Sequence, residues 1–208
     1  LFAILQFISS KKNNYISKLS KTFVLGLLFS ALISFFSLMF CHVVSDFSLI
    51  NVFQNSHTSK PLIYKIAGVW GNHEGSMLLW ILVLTVFNFF IFKLYNKTNA
   101  NFISKALATQ ALITAGFVLF TILTSNPFKK MISSQDEGLG FNPILQDPAL
   151  AIHPPLLYIG YVGFSAAFSI SIATLNSTNH ESIPWHIYMK PFVTAAWTFL
   201  TIGITFGS

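Results

Sequence analysis

The histidine with the most clearly defined setting in the sequence is His153. It is followed by Pro154 and Pro155 and then by the apolar run Leu156–Tyr161. Proline suits the first turn of a helix and disrupts its interior, so the pair predicts a helix that begins at Pro154 with His153 at the capping position. A neutral imidazole beside an apolar, aromatic wall is a usual axial ligand of haem iron. A histidine that only caps a helix is equally compatible with this spacing.

A second group of residues capable of chemistry lies in Val69–Ser76, which contains Trp70, His73 and Glu74 and leads into Trp80. Tryptophan favours the membrane interface, and a helix N-terminus stabilises a glutamate. Adjacent helical residues point in different directions, so His73 and Glu74 do not form the i, i+4 ligand pair of a zinc helix. An interfacial anchor explains the tryptophans well and the His-Glu pair less well, and the wall of a pocket is the alternative.

The segments beside these two groups predict loops and a surface helix, and they argue against a nucleotide site. Asn142–Pro148 is punctuated by prolines and predicts a fixed or re-entrant turn. Gly138-Leu139-Gly140 follows no strand and precedes no P-loop lysine, which argues against nucleotide binding. The mildly amphipathic segment Leu62–Val69 predicts a short helix along the outer membrane surface, where it could form one wall of a pocket.

The composition of this chain is too apolar for a soluble protein. Of 208 residues, 53% are hydrophobic and 9% are charged, whereas soluble domains carry about 25% charged residues. The net charge is +6, but the lysines are scattered between apolar runs, so membrane topology explains them better than a nucleic-acid-binding face does. The single cysteine, Cys41, excludes a disulfide framework within the chain and a Cys-x-x-Cys pair. The sequence therefore predicts an integral membrane protein.

Only a helix satisfies its own backbone groups in lipid, and about 17 or more apolar residues are needed to cross the bilayer. Five such runs predict an all-α, polytopic transmembrane protein with one domain over residues 1–208. The apolar stub Leu1–Ser9 is too short to cross alone and would be the end of a further helix. The predicted spans are Thr22–Val44, Ser76–Phe92, Ala106–Ser125, Pro154–Leu175 and Pro191–Gly207.

The lysines predict the orientation of these spans. Eight of the 12 lysines fall in one alternate set of connections, which should therefore face the cytoplasm or matrix. The two long connections Ser45–Gly75 and Asn126–His153 should then lie on the outer side, where the chemistry is expected. The abundance of Phe, Ile, Asn and Lys without arginine fits an AT-rich coding sequence. It indicates the mitochondrial inner membrane, with a bacterial inner membrane as the alternative.

Three runs, Gly68–Trp80, Asn142–Tyr158 and Gly160–Ser165, resemble in this order the motifs of the cytochrome c maturation protein F family. Asp46-Phe47-Ser48 and Asn55-Ser56 resemble the first outer loop of the family. This family provides the haem lyase subunit of the system I pathway and belongs to a wider group of haem-handling membrane proteins. The resemblance extends over nearly the whole chain.

The resemblance implies a specific role for several residues. Family members take haem from a haem chaperone and help attach it to the Cys-x-x-Cys-His motif of apocytochrome c, whose thiols a reducing partner maintains. His153 matches the first of two outer histidines that ligate the delivered haem. Trp70, His73 and Glu74 match a further family motif and, with Tyr158, are candidate residues of the pocket wall.

Parts of the family pattern are missing from this sequence. The Trp-rich segment would begin just after Ser208, and neither it nor the second outer histidine and the two membrane histidines of the resident b-type haem are present. The expectation is an N-terminal portion of a larger or split haem lyase that shares b-type haem with a partner chain carrying the Trp-rich segment.

The predicted function is haem presentation for covalent attachment to apocytochrome c, with no acid–base catalytic set in this chain. Two alternatives belong to other classes. One is a membrane subunit of a transporter or respiratory assembly, in which His153 and the acids move protons or only pack. The other is a structural scaffold for the partner chain.

Overall fold

The computed structural model describes residues 14–94, 100–133, 135–140, 146–177 and 184–207, and the stub Leu1–Ser9 lies outside them. Within these ranges the fold is all-α, as predicted, and its one β-type contact is an isolated bridge between Leu49 and Lys130. The helices are α1 (Asn14–Val44), α2 (Ile50–Asn55), α3 (Leu62–Gly68), α4 (His73–Lys93), α5 (Ala100–Thr124), α6 (Pro148–Leu175) and α7 (Trp185–Phe206).

Five helices of the described part of the chain are long and apolar enough to cross a membrane, which confirms the predicted number of spans. All five begin earlier than predicted, at Asn14, His73, Ala100, Pro148 and Trp185. Lysine and proline residues do not mark the starts of these helices, as had been expected from the sequence. Lys105 lies inside α5 and donates to the carbonyl oxygen of Asn176, and Pro191 lies inside α7.

Within the described part of the chain, helices α6 and α7 make the most extensive contact of any helix pair. Small residues allow this approach, because a Cβ on Gly160 would lie 2.7 Å from the backbone nitrogen of Leu200. Close backbone packing through glycine is a common way to associate helices in lipid, where the hydrophobic effect does not drive them together. The relative position of α6 and α7 is therefore tightly defined.

Buried polar side chains join α5 to its neighbours inside the bundle. The Gln110 amide nitrogen donates to Ser165 Oγ at 2.8 Å, and its oxygen accepts from Ser169 Oγ at 2.7 Å, both on α6. Asn88 of α4 donates to Thr114 Oγ1 at 3.1 Å. These bonds satisfy groups that would be costly to bury alone, and they fix the register of three helices.

The two long connections predicted to lie on the same side interlock at one end of the bundle. Backbone bonds run from Ile50 N to the Lys129 oxygen at 3.0 Å and from Met131 N to the Ser48 oxygen at 2.8 Å. Glu137 of the second connection accepts from Thr58 N of the first at 2.9 Å. We call the described residues of these two connections, 45–72, 125–133 and 135–140, the cap. It includes α3, which confirms the short helix predicted in Leu62–Val69.

Candidate functional site

His153 lies inside α6 and not at its start. Asp147 caps the helix, because its side chain accepts from Ala149 N at 2.8 Å and from Leu150 N at 3.1 Å, and Pro148 occupies the first turn. The prediction that Pro154 and Pro155 begin the helix and that His153 caps it is therefore wrong. Asp147-Pro148 is a complete start signal six residues upstream, and the later prolines are accommodated within the helix.

The half-buried imidazole of His153 faces α7. Its Nδ1 lies 2.7 Å from the carbonyl oxygen of Gly203. A carbonyl oxygen can only accept, so Nδ1 carries the proton and donates, and in the neutral imidazole Nε2 keeps its lone pair. A histidine that binds a metal through one nitrogen usually donates its other N–H to such a carbonyl, which fixes the tautomer and the ring orientation.

Gly207, just past the end of α7, leaves the space that this ring occupies. A Cβ added there would lie 2.3 Å from Cε1 of His153 and 2.9 Å from Nε2. Any other residue would push the ring aside or cover its lone pair. The surroundings of His153 thus fit an imidazole that would hold haem iron through Nε2.

Trp70 contacts the helix that carries His153, on another side. Its indole Nε1 donates to the carbonyl oxygen of Ala151 at 2.8 Å, and its ring stacks on Phe35 of α1 with 6.5 Å between ring centroids. In an α-helix the Ala151 carbonyl would accept from residue 155, which is Pro155 and has no N–H. Trp70 therefore supplies the donor that this proline removes.

His73 and Glu74 diverge as predicted. His73 Nε2 lies 2.8 Å from Ser125 Oγ, and the ring meets Phe120 edge-on, so this side chain joins α4 to the end of α5. Glu74 Oε2 instead lies 3.4 Å from the amide nitrogen of Asn51 in the cap. Helix α4 begins here because the side chain of Asn72 accepts from Gly75 N at 2.8 Å.

Tyr158 belongs to the face of α6 that packs on α4. Its ring meets Trp80 edge-on at 5.6 Å, and Trp80 in turn stacks on Phe117 of α5 at 5.2 Å. Of the five predicted site residues, the structure thus brings Trp70 to the turns of α6 that carry His153. It places His73, Glu74 and Tyr158 against other elements.

A buried polar network that spacing did not reveal lies beneath the cap. His42 is fully buried, and its Nε2 lies 3.0 Å from the amide oxygen of Asn51. Asn51 donates to Asn72 Oδ1 at 2.7 Å, and Asn72 donates to the Gly68 carbonyl oxygen at 2.7 Å. These bonds connect α1, α2 and the turn that leads into α4. Asn51 between the apolar residues Ile50 and Val52 is a weak sequence signal of this network, and Asn72 in the polar run Asn72-His73-Glu74 gives none.

Lys60 is also buried in the cap, with 7% of its surface exposed, and its ammonium donates to the Asn55 carbonyl oxygen at 3.0 Å. Burial, together with the nearby charge of Lys65, lowers the pKa of Lys60 to about 7. Near neutral pH this side chain is therefore partly uncharged.

In the residues with assigned positions, no group of three or more His, Cys, Asp and Glu side chains is placed to hold a metal ion. The candidate site thus consists of the oriented imidazole of His153, the Gly203 carbonyl that it bonds, Gly207 just past α7, which leaves space for the ring, and the Trp70 indole that supports its helix.

Three comparisons with known proteins agree with one another. The model of a protein family described as cytochrome C assembly protein matches residues 70–208. The chain is 51% identical over 175 residues to the cytochrome c-type biogenesis protein CycK of Rhizobium meliloti. It is 41% identical over 190 residues to the cytochrome c-type biogenesis protein CcmF of Escherichia coli. A solved structure titled cytochrome c heme lyase CcmF superposes with a TM-score of 0.81 at 25% identity.

These matches cover most of this chain and a smaller share of each relative. They include 84% of this chain and 26% of CycK, 91% and 29% for the Escherichia coli protein, and 97% and 31% for the solved structure. The chain therefore spans roughly a quarter to a third of the length of these relatives.

Proposed function

Because this chain belongs to the cytochrome c assembly family and is a multi-pass, CcmF-type cytochrome c biogenesis protein, we propose that it presents haem for covalent attachment to apocytochrome c. The observation that carries this proposal is the geometry of His153. Its Nδ1 donates to Gly203, and its Nε2 is left for iron beside a glycine that cannot obstruct it.

In this proposal the residues of the chain bind the haem and orient it. His153 ligates the iron of the delivered haem through Nε2, while the Gly203 carbonyl holds the ring so that little rotational freedom is lost on binding. The haem, when bound, would supply the vinyl groups across which the thiols of apocytochrome c add to form the thioether bonds. No acid–base catalysis is assigned to this chain, which acts as part of a haem lyase complex.

The haem site is completed by groups from outside this sequence. We propose that a partner chain carrying the Trp-rich segment supplies the second ligand and shares b-type haem with this chain. A haem chaperone delivers haem, and apocytochrome c and its thiol-reducing partner approach from the same side.

The proposed location of the site is the outer face of an energy-transducing inner membrane. The excess of lysine in the connections at the other end of the bundle supports this orientation. The cap then lies in the intermembrane space of a mitochondrion, as the absence of arginine favours, or in a bacterial periplasm. In either setting Trp70 supports α6, while His73, Glu74 and Tyr158 pack against α5, the cap and α4.

The test is to purify the chain from its native membrane with its bound partners, identify the partners by mass spectrometry, and record the haem spectrum of the wild type and of His153→Ala. The matched control is His186→Ala, an exposed histidine at the other end of α7. We expect a partner with the Trp-rich segment and loss of haem in His153→Ala alone. A haem spectrum of His153→Ala equal to that of the wild type would favour the scaffold function. Absence of both haem and that partner would favour a transporter or respiratory subunit.

A further inference from the structure

Two prolines weaken the helix at the position where the candidate ligand stands. Pro154 and Pro155 directly follow His153 in α6 and lack the N–H groups that would bond the carbonyls of residues 150 and 151. The ring of a proline also crowds the carbonyl four residues before it, which tilts that carbonyl away from the helix axis. The two turns that carry His153 are thus less restrained by their own helix than an ordinary helical segment is.

Trp70 contacts α6 at one of these two carbonyls. The indole N–H donates to the Ala151 oxygen at 2.8 Å. Trp70 is itself held at its ring and at its backbone. The ring stacks nearly parallel to Phe35 at an interplanar angle of 10°, and the backbone N–H of Trp70 donates to the Ala67 oxygen at the end of α3. The donor is therefore fixed before it meets the helix.

The two contacts restrain α6 from opposite sides. Residues 151 and 153 are separated by about 200° around a helix, so the Trp70 contact and the His153 contact with Gly203 lie roughly opposite each other. A helix held from only one side at a proline pair could rotate or bend at that pair. Held from both sides, it keeps the imidazole at one height and one rotation.

We infer that Trp70 is a positioning residue for His153: its indole N–H replaces the donor that Pro155 removes and thereby fixes the turn of α6 that presents the imidazole. This inference rests on the proposed function, since it assumes that His153 is the haem ligand. It assigns to Trp70 a role that does not require contact with haem.

The variant Trp70→Phe tests this role, because it keeps an aromatic ring against Phe35 and removes the N–H, together with the same side-chain volume that the control loses. The control is Trp80→Phe on α4, whose ring packs on Phe117 and Tyr158. The readouts are the haem retained by the purified complex, the absorption bands of the reduced haem, and the unfolding midpoint. We expect Trp70→Phe to retain about fivefold less haem and to shift the bands, as the loss of about one hydrogen bond implies. The unfolding midpoint should stay close to that of the control.

A double-mutant cycle identifies the bond itself. Pro155→Ala restores a backbone N–H that can donate to Ala151, so Trp70→Phe should reduce haem retention much less in that background. An equal loss in both backgrounds would overturn the inference, as would haem retention and bands in Trp70→Phe equal to those of Trp80→Phe. If His153→Ala itself keeps its haem, the proposed function fails and the inference fails with it. If His153→Ala loses haem while Trp70→Phe does not, only the inference fails.

Discussion

The Nδ1 atom of His153 lies 2.7 Å from the carbonyl oxygen of Gly203, so that the imidazole of α6 is bonded to the last turn of α7. This contact joins residues that are 50 positions apart in the sequence. It determines which nitrogen carries the proton and therefore which nitrogen can bind a metal.

Gly207→Ala should impair the site without disrupting the fold. The new Cβ would lie 2.3 Å from Cε1 of His153, and displacing the ring costs about 1–3 kcal/mol, which is the usual range for overpacking. The haem content of the purified complex should fall accordingly. Gly116→Ala is the control, because a Cβ there meets nothing within 4 Å. Equal haem in the two variants would show that the space beside His153 is not needed.

Asn51→Leu should destabilise the cap strongly. The substitution leaves Nε2 of buried His42 without its partner and removes the bond to Asn72, and each buried polar group left unsatisfied costs about 1–3 kcal/mol. The unfolding midpoint in detergent, followed by circular dichroism, should fall well below that of Gln54→Leu, an exposed position on the same helix. Similar midpoints for both variants would mean that the network contributes little.

Lys60 should make stability depend on pH in a defined direction. Its pKa is lowered from 10.5 to about 7 in the folded protein by burial and by the charge of Lys65. Between these two values the unfolded chain binds the proton and the folded chain does not, so the contribution of Lys60 to stability rises with pH across this window. Below about pH 7 both states are protonated, and the full cost of burying the charge remains.

The corresponding measurement is the thermal midpoint at pH 6.5 and at pH 9. The wild type should gain stability at the higher pH through Lys60, and Lys60→Met should lack this part of the increase. Lys129→Met replaces an exposed lysine of the cap and should keep it. An increase of the same size in wild type and Lys60→Met would show that Lys60 is not the group responsible.

The sequence predicted the helical fold well because apolar length alone determines which segments can cross a membrane. It failed at the start of α6, where two proline signals compete. The rule that proline begins a helix is a local one, and it omits the donor that Trp70 supplies to Ala151 from another part of the chain. With Asp147 and Pro148 available, the helix begins earlier and tolerates Pro155.

The sequence identified the central residue of the candidate site but not the contacts that orient it. His153 was identified from its neighbours, but its partner Gly203 is a backbone carbonyl, and a carbonyl has no signature in the sequence. Gly203 and Gly207 do follow the G-x-x-x-G spacing of close helix packing, which could have indicated that something approaches α7 there. The partners of Asn51 likewise depend on tertiary contacts across 9 and 21 residues.

The most direct measurement of the central claim is the haem spectrum of the native complex that carries His153→Gly, recorded before and after the addition of free imidazole. If His153 is the ligand, the variant loses its haem bands, and imidazole, which can occupy the space left by the ring, restores them. Wild-type haem bands in the variant without imidazole would contradict the account. A loss that imidazole does not reverse would contradict direct ligation by this residue.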